Sequence, residues 1–425
     1  SAVECARLGR AKNFPDSPSL HPGYVRPRCG LPAQPTATSP ALTRSGDFHA
    51  SLESFMRARS LMRLLSILCV SPALAAPAAF AAQAAAMPRP QFGSDRALPA
   101  ASLIDADQYT AQALAIPARA FSGQSSAIND SGVSAGWYQS FKGSFAVSWD
   151  ATGHMTQLGS LPGLPSSLAN GINDSGAIVG FAFTNDFLSS RAFVWHADTG
   201  MQALADLGGD ASLAQAINAS GMAVGWAYDP AGILHAVRWD ASGAITDLNP
   251  PGAISEALGI NDQGDVVGWV FAADASASHA YLWRHDGVQI DLQTLGGPGS
   301  QAFAVNDSLA VVGISDRRSP LPPVSFIWTP AKGMQNVGFG SNSQALAIND
   351  NGRVAGSRVI NAGVLGLTRT LATKAQVIPD VAADKGPFSS ATGMNLCGTL
   401  VGSSSSPDPT NGNPVPAIWT KANCD

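Results

Sequence analysis

The sequence predicts an all-β fold, a seven-bladed β-propeller of four-stranded antiparallel blades, closed by an N-terminal strand that completes the last blade. Three observations carry that expectation. An Asn-centred hairpin signature recurs seven times, with its Asn at 129, 173, 218, 261, 306, 349 and 395, so that successive steps are 43 to 46 residues. A strand ending in Trp follows six of the seven copies. The last copy lacks a fourth strand, while a strand-like segment, YTAQALAI at residues 109–116, precedes the first copy. A fixed period of about 40 to 45 residues is the mark of a propeller built from one repeated sheet.

Each copy reads as a hairpin. In AINDSGVSAGW, residues 127–137, a short apolar run ends in Asn-Asp-x-Gly. Such residues tolerate left-handed backbone and accept local hydrogen bonds, and a second β-rich run then ends at Gly. The Asn and the second Gly (Gly136, Gly180, Gly225, Gly268, Gly313, Gly356, Gly402) occur in all seven copies, whereas the Asp gives way to Ala219 and Leu396. A residue demanded in every unit is a geometric requirement of the unit, so these Asn and Asp residues read as structural. Calcium held at their loops is the competing reading. Two residues before each Asn stands Ala or Gly without exception, as expected where seven strands crowd one axis. The first strand of each hairpin is therefore expected to be innermost.

The third strands read SFAVSW, RAFVW, HAVRW, HAYLW, SFIW and PAIW, ending at Trp149, Trp195, Trp239, Trp283, Trp328 and Trp419; the sixth repeat departs, with RTLATK around Leu371. The other three Trp, at 137, 226 and 269, each follow the second Gly of a hairpin. An aromatic that returns at one register is expected to pack between neighbouring units. Fourth strands are visible in segments such as MTQLGSL from Met155 and MQALADL from Met201. A circular array must join its last unit to its first or leave an exposed edge, so residues 109–116 are expected to lie beside Trp419, giving a propeller over 109–425.

The first 108 residues differ in kind. Residues 1–55 scatter Pro, Arg and Ser without periodicity and contain no Met; Met56 and Met62 come first, followed by Arg57, Arg59 and Arg63, an apolar LLSILCV run and Ala-rich sequence with Ala-x-Ala sites. A basic head, a short apolar core and small-residue sites form a secretory signal peptide, expected at 56–81. The natural start is then expected at Met56 or Met62, with 1–55 a disordered upstream extension and 82–108 a linker. Pro72 and Pro77 interrupt a run too short to span a bilayer, so no stable membrane span is expected once the signal is removed.

Residues 1–81 hold nine Lys or Arg against four acidic residues, a balance of +5; with the whole chain at −5, residues 82–425 carry −10. An acidic body without a basic cluster argues against a nucleic-acid partner. After the signal only Cys397 and Cys424 remain, one in a hairpin turn and one next to the end, so a disulfide tying the tail to its own blade is expected, with two free thiols as the alternative.

The pattern INDxGxxxGW followed by HAFxW-like strands resembles the HAF family of extracellular repeat proteins over nearly all of residues 127–425. That resemblance implies an exported propeller of unassigned molecular activity. Departures are the lost Asp in the third and seventh copies, Leu309 in the first-Gly slot of the fifth and the missing Trp of the sixth.

No HExxH, P-loop, CxxC or GxGxxG motif is present, and the one GxSxG string, residues 132–136, is the turn and second strand of the first hairpin rather than a strand-to-helix elbow. Beyond the linker the only Glu is Glu256, which excludes a paired-Glu glycosidase. His154, His196, His235, His279 and His285 have no spacing that requires convergence, so no metal, no cofactor and no catalytic residue is assigned. Function is expected where the repeats differ, on the loops between second and third strands, which emerge together on one face. There Tyr138, Phe141, Lys142, Phe187, Arg191, Tyr228, Phe271, Arg317 and Arg318 offer aromatic faces and cations to a glycan or protein ligand. The expectation is a non-enzymatic binding scaffold for a glycan, peptide or envelope protein in the periplasm or outside the cell. A polysaccharide hydrolase using Asp residues at the channel mouth and a purely structural surface repeat are the alternatives.

Overall fold

The computed structural model describes residues 109–271, 277–370, 372–382, 384, 387–408 and 412–421. The expected extension, signal and linker, and Cys424, lie outside these residues.

Among the described residues are twenty-eight strands, β1 to β28, in seven four-stranded sheets. The first blade is β2 (Ala120–Ile128), β3 (Ser134–Ser140), β4 (Gly143–Trp149) and β5 (Met155–Gly159), paired in that order and antiparallel throughout. Five more blades repeat it. Their innermost strands are β6 (Ser166–Ile172), β10 (Ser212–Ile217), β14 (Ile254–Ile260), β18 (Gly296–Val305) and β22 (Ser343–Ile348). The seventh blade runs β26 (Ser389–Met394), β27 (Leu400–Ser404), β28 (Val415–Lys421) and then β1 (Tyr109–Ala113). This is the expected closure: Ala111 pairs with Trp419, and Leu114 N donates to Pro416 O at 2.9 Å beyond the end of β1. Strand β1 ends three residues short of the expected 116, where Pro117 turns the chain into β2.

The sixth blade corrects one reading. Its third strand is β24 (Gly363–Thr370), not a strand around Leu371, and it pairs residue for residue with β23 (Arg353–Ile360) through a two-residue turn. What reads as a variable loop in sequence is a tight hairpin. Arg369 opposite Val354 takes the slot that Trp149 fills opposite Ser134.

Every innermost strand carries the same irregularity. The register shifts between the residues four and two before the Asn in all seven blades, leaving the residue three before it unpaired. Such a bulge re-aims a side chain and bends the strand. It also explains the obligatory second Gly: a Cβ on Gly225 would stand 2.0 Å from the Leu213 carbonyl oxygen, and one on Gly136 would stand 2.1 Å from that of Gln124. The small residues two before the Asn touch across blades, since a Cβ on Gly259 would lie 3.1 Å from Ala304 Cα.

The core is distributed between blades rather than within them. One cluster joins Ala135, Ala146 and Leu158 of the first blade to Ile178 and Phe193 of the second, and another joins Val179 and Leu204 of the second to Val237 and Trp239 of the third. The third-strand Trp residues fasten these seams: Trp149 Nε1 donates to Ala115 O, Trp239 Nε1 to Ala205 O and Trp419 Nε1 to Pro379 O, at 2.6 to 2.7 Å. Each acceptor follows the fourth strand of the preceding blade, so the recurrent aromatics are packing between units.

Candidate functional site

Strand alternation sends the Asn-Asp turns to one face of the wheel and the connections between second and third strands to the other. At the first face the seven Asn side chains form a closed ring. Asn129 Nδ2 donates to Asn173 O, and the pattern continues through Asn218, Asn261, Asn306, Asn349 and Asn395, whose Nδ2 returns to Asn129 O. The Oδ1 of the same Asn accepts the N–H four residues on, closing its own turn, as Val133 N to Asn129 Oδ1 at 2.9 Å. One amide therefore sets the turn and clasps the next blade. That accounts for its presence in every unit without a cation.

The Asp residues make a second, interrupted ring. Asp174 accepts from Asp130 N, Asp262 from Ala219 N, Asp307 from Asp262 N, Asp350 from Asp307 N and Asp130 from Leu396 N, at 2.8 to 3.0 Å. Five carboxylates thus rim one mouth. Burial and the neighbouring carboxylates of Asp350, Asp262 and Asp265 hold the Asp307 carboxyl above its ordinary value.

Just inside that mouth the residues preceding each Asn (Ile128, Ile172, Ile217, Ile260, Val305, Ile348, Met394) form an apolar collar bordering both the mouth and a central cavity of about 510 Å³. The bulged residues line the cavity wall. Ser126, Asn170, Gln215 and Thr392, from the first, second, third and seventh blades, make one polar arc; Leu258, Phe303 and Leu346, from the fourth to sixth, make an apolar arc opposite. Nearer the loop face come Gln124, Gln301, Gln344, Ile314 and Trp269. Among the described residues, no charged side chain lines this cavity.

Glu256 stands behind Trp269, whose Nε1 donates to Glu256 Oε2 at 3.1 Å. The carboxyl is 1% exposed, its Oε1 has no partner among the described residues, and burial pushes its pKa up to about 8. It is therefore protonated at neutral pH. Gln124, Gln301 and Gln344 occupy the same register in other blades, five residues before the Asn. Three of the five His residues serve local pairs: His235 Nδ1 lies 2.7 Å from Asp247 Oδ2, His279 Nδ1 2.9 Å from Asp291 Oδ2 and His285 Nδ1 2.8 Å from Asp265 Oδ1. Among the described residues, no group of three or more His, Cys, Asp or Glu is placed to hold a metal ion, and no helix is long and apolar enough to cross a membrane.

On the loop face the nine sequence-selected residues divide. Phe141 is 95% exposed on the β3–β4 hairpin, tilted against Phe121 at 5.2 Å, with exposed Lys142 beside it. Phe187, 42% exposed, stacks on Phe183 at 4.9 Å in the next blade, beside exposed Leu188. The two hairpins meet through Ser166, whose Oγ accepts from Ser144 N and donates to Asn185 Oδ1. Arg318 is also exposed.

The other candidates are occupied by the fold. Tyr138 is buried, stacked on Phe145, and its hydroxyl accepts from Gln157 Nε2, so it offers no surface to a ligand. Tyr228 is half-buried with its ring at the edge of Trp226, Arg191 is ion-paired with Asp206, and Arg317 donates to Pro322 O and Ser341 Oγ. Phe271 is half-buried. Sequence reasoning missed the cavity wall. The signal for it is that the residue three before each Asn varies between polar and apolar, while the residue two before is always Ala or Gly and the residue four before is Ala in every blade but the first, which has Ser125. Cys397 is disulfide-bonded.

No family model matches the chain, and no curated protein sequence matches it. Solved propellers do resemble it. A virginiamycin B lyase from Staphylococcus aureus has a TM-score of 0.47 at 11% identity, covering 74% of this chain and 99% of that one. The β-propeller domain of the Trilobed protease from Pyrococcus furiosus has 0.45 at 9%, covering 66% and 91%. TolB from Acinetobacter baumannii has 0.39 at 12%, covering 69% and 80%. At such identities the likeness is one of fold alone.

Proposed function

We propose that this is an exported, non-enzymatic scaffold of the HAF kind that binds a glycan, peptide or envelope protein through its loop face. The observation that supports it is Phe141, 95% exposed with a cation at its side, on a hairpin tied to that of Phe187 and Leu188. Large aromatics held in water by rigid hairpins contribute nothing to the core and are the usual anchors of recognition. The test is a screen of the purified protein against glycan arrays and envelope extracts while product release is monitored. Saturable binding without turnover, lost in a Phe141→Ser/Phe187→Ser double variant, supports this function; silence in both assays leaves a purely structural repeat.

The hydrolase alternative has one observation in its favour, the five carboxylates at the opposite mouth. Each of them, however, already accepts a backbone N–H from the adjoining blade. Turnover abolished by Asp307→Asn would establish that alternative.

A further inference from the structure

The central cavity is a different site from the loop-face patch, and its wall has a chemistry of its own. The apolar collar borders it toward the Asn ring and no charged residue among the described ones lines it, so an ionised ligand would be desolvated there without a partner, at high cost. One half of the wall is amide and hydroxyl, the other Leu258, Phe303 and Leu346. The polar half is unevenly committed. Asn170 Nδ2 is spent on Ala214 O at 2.9 Å, whereas Gln215 Oε1 is shielded from water with no partner among the described residues. An unmade hydrogen bond at a buried amide costs about 1–3 kcal/mol, and a rotation of that amide toward the cavity would offer it to a donor.

We propose that this cavity binds a neutral monosaccharide, entering from the loop face. A pyranose has a C–H face that packs on Phe303 and the leucines and a rim of hydroxyls that both donate to and accept from the opposite arc. A cavity of about 510 Å³ is of the size that takes small ligands. Specificity for the uncharged sugar follows from the absence of any counter-charge.

The test is titration calorimetry on the full chain with D-glucose, D-galactose and N-acetyl-D-glucosamine, with D-glucuronate and D-glucosamine as charged controls. One-to-one binding of a neutral sugar is expected, at least 10-fold tighter than its charged counterpart. Gln215→Leu should weaken it about 10-fold, in keeping with the loss of one buried hydrogen bond. A Leu258→Phe/Leu346→Phe variant, filling the space, should abolish it. Both variants place residues that this fold already carries at the same register in other blades, so they are expected to fold, which a thermal melt verifies. Phe141→Ser/Phe187→Ser should leave cavity binding unchanged, so that failure of one site is distinguishable from failure of the other. The proposal is overturned if no neutral sugar binds, if charged sugars bind equally well, or if the cavity-filling variant binds as before.

Discussion

Asn395 Nδ2 donates to the carbonyl oxygen of Asn129 at 3.3 Å, although 266 residues separate them in sequence. This bond closes a ring whose six other links join residues 43 to 46 apart. It crosses the seam between the last blade and the first, which the chain also crosses in passing from β1, paired with β28 in the last blade, to β2, so the wheel is fastened both at its hub and at its rim.

Breaking one link should be costly. Asn173→Ala removes one of the two donors to Asn218 O, which keeps Gly221 N, and the acceptor of Ala177 N, leaving that buried N–H unsatisfied. A loss of about 2–4 kcal/mol in urea unfolding is expected. Asp174→Ala should cost under about 1 kcal/mol, because its exposed carboxylate is dispensable in the blades that carry Ala219 and Leu396.

Gly225→Ala places a methyl group 2.0 Å from the Leu213 carbonyl oxygen, and backbone cannot yield as a flexible side chain would. The variant is expected to lose more than about 3 kcal/mol or to accumulate unfolded. Gly252→Ala, whose Cβ meets nothing within 4 Å, strains only its own left-handed turn and should lose about 1 kcal/mol. Parallel thermal melts separate the two.

Glu256 should make stability fall with rising pH. Its folded pKa of about 8 lies above its ordinary 4.5, so between these values the unfolded chain releases a proton that the folded one retains. Its contribution is therefore full below about pH 4.5, declines through the window and is lost above pH 8, by roughly 5 kcal/mol in all. Glu256→Gln, which installs the residue used at this register in three other blades, should fold and flatten that contribution. A pH series of denaturant midpoints for both proteins checks it; equal slopes would refute it.

Removing residues 109–116 takes away the whole outer strand of the last blade and the carbonyl that receives Trp149 Nε1. The truncated protein is expected to unfold in one cooperative transition at lower temperature. A melt matching that of the intact protein would exclude this closure.

A thiol titration under native, non-reducing conditions should leave Cys397 unreactive. Cys424 is the expected partner, and peptide mapping of the unreduced protein identifies it. A Cys397 crosslink to Cys5, Cys29 or Cys69 would overturn the pairing.

The number of blades, the order of strands, the innermost strand and the point of closure are all legible in the residues before any coordinates are known. Those follow from local requirements that each unit repeats: a turn that needs Asn, a bulge that admits only Gly at 136 and its counterparts, and a tail with no fourth strand of its own. Even Leu309, which holds φ at 59° where other blades place Gly, is legible as a departure before the fold is known. Only the tertiary structure decided that each Asn reaches the next blade, that residues 363–370 form a strand, and that Tyr138 is buried while Phe141 is not. It likewise decided which side chains face the cavity, because a one-residue bulge reverses the inward and outward faces of a strand and leaves no fixed mark in composition. The physical reason is common to all of these: they depend on the angle at which one sheet meets the next, and that angle is set by closing seven sheets around a single axis.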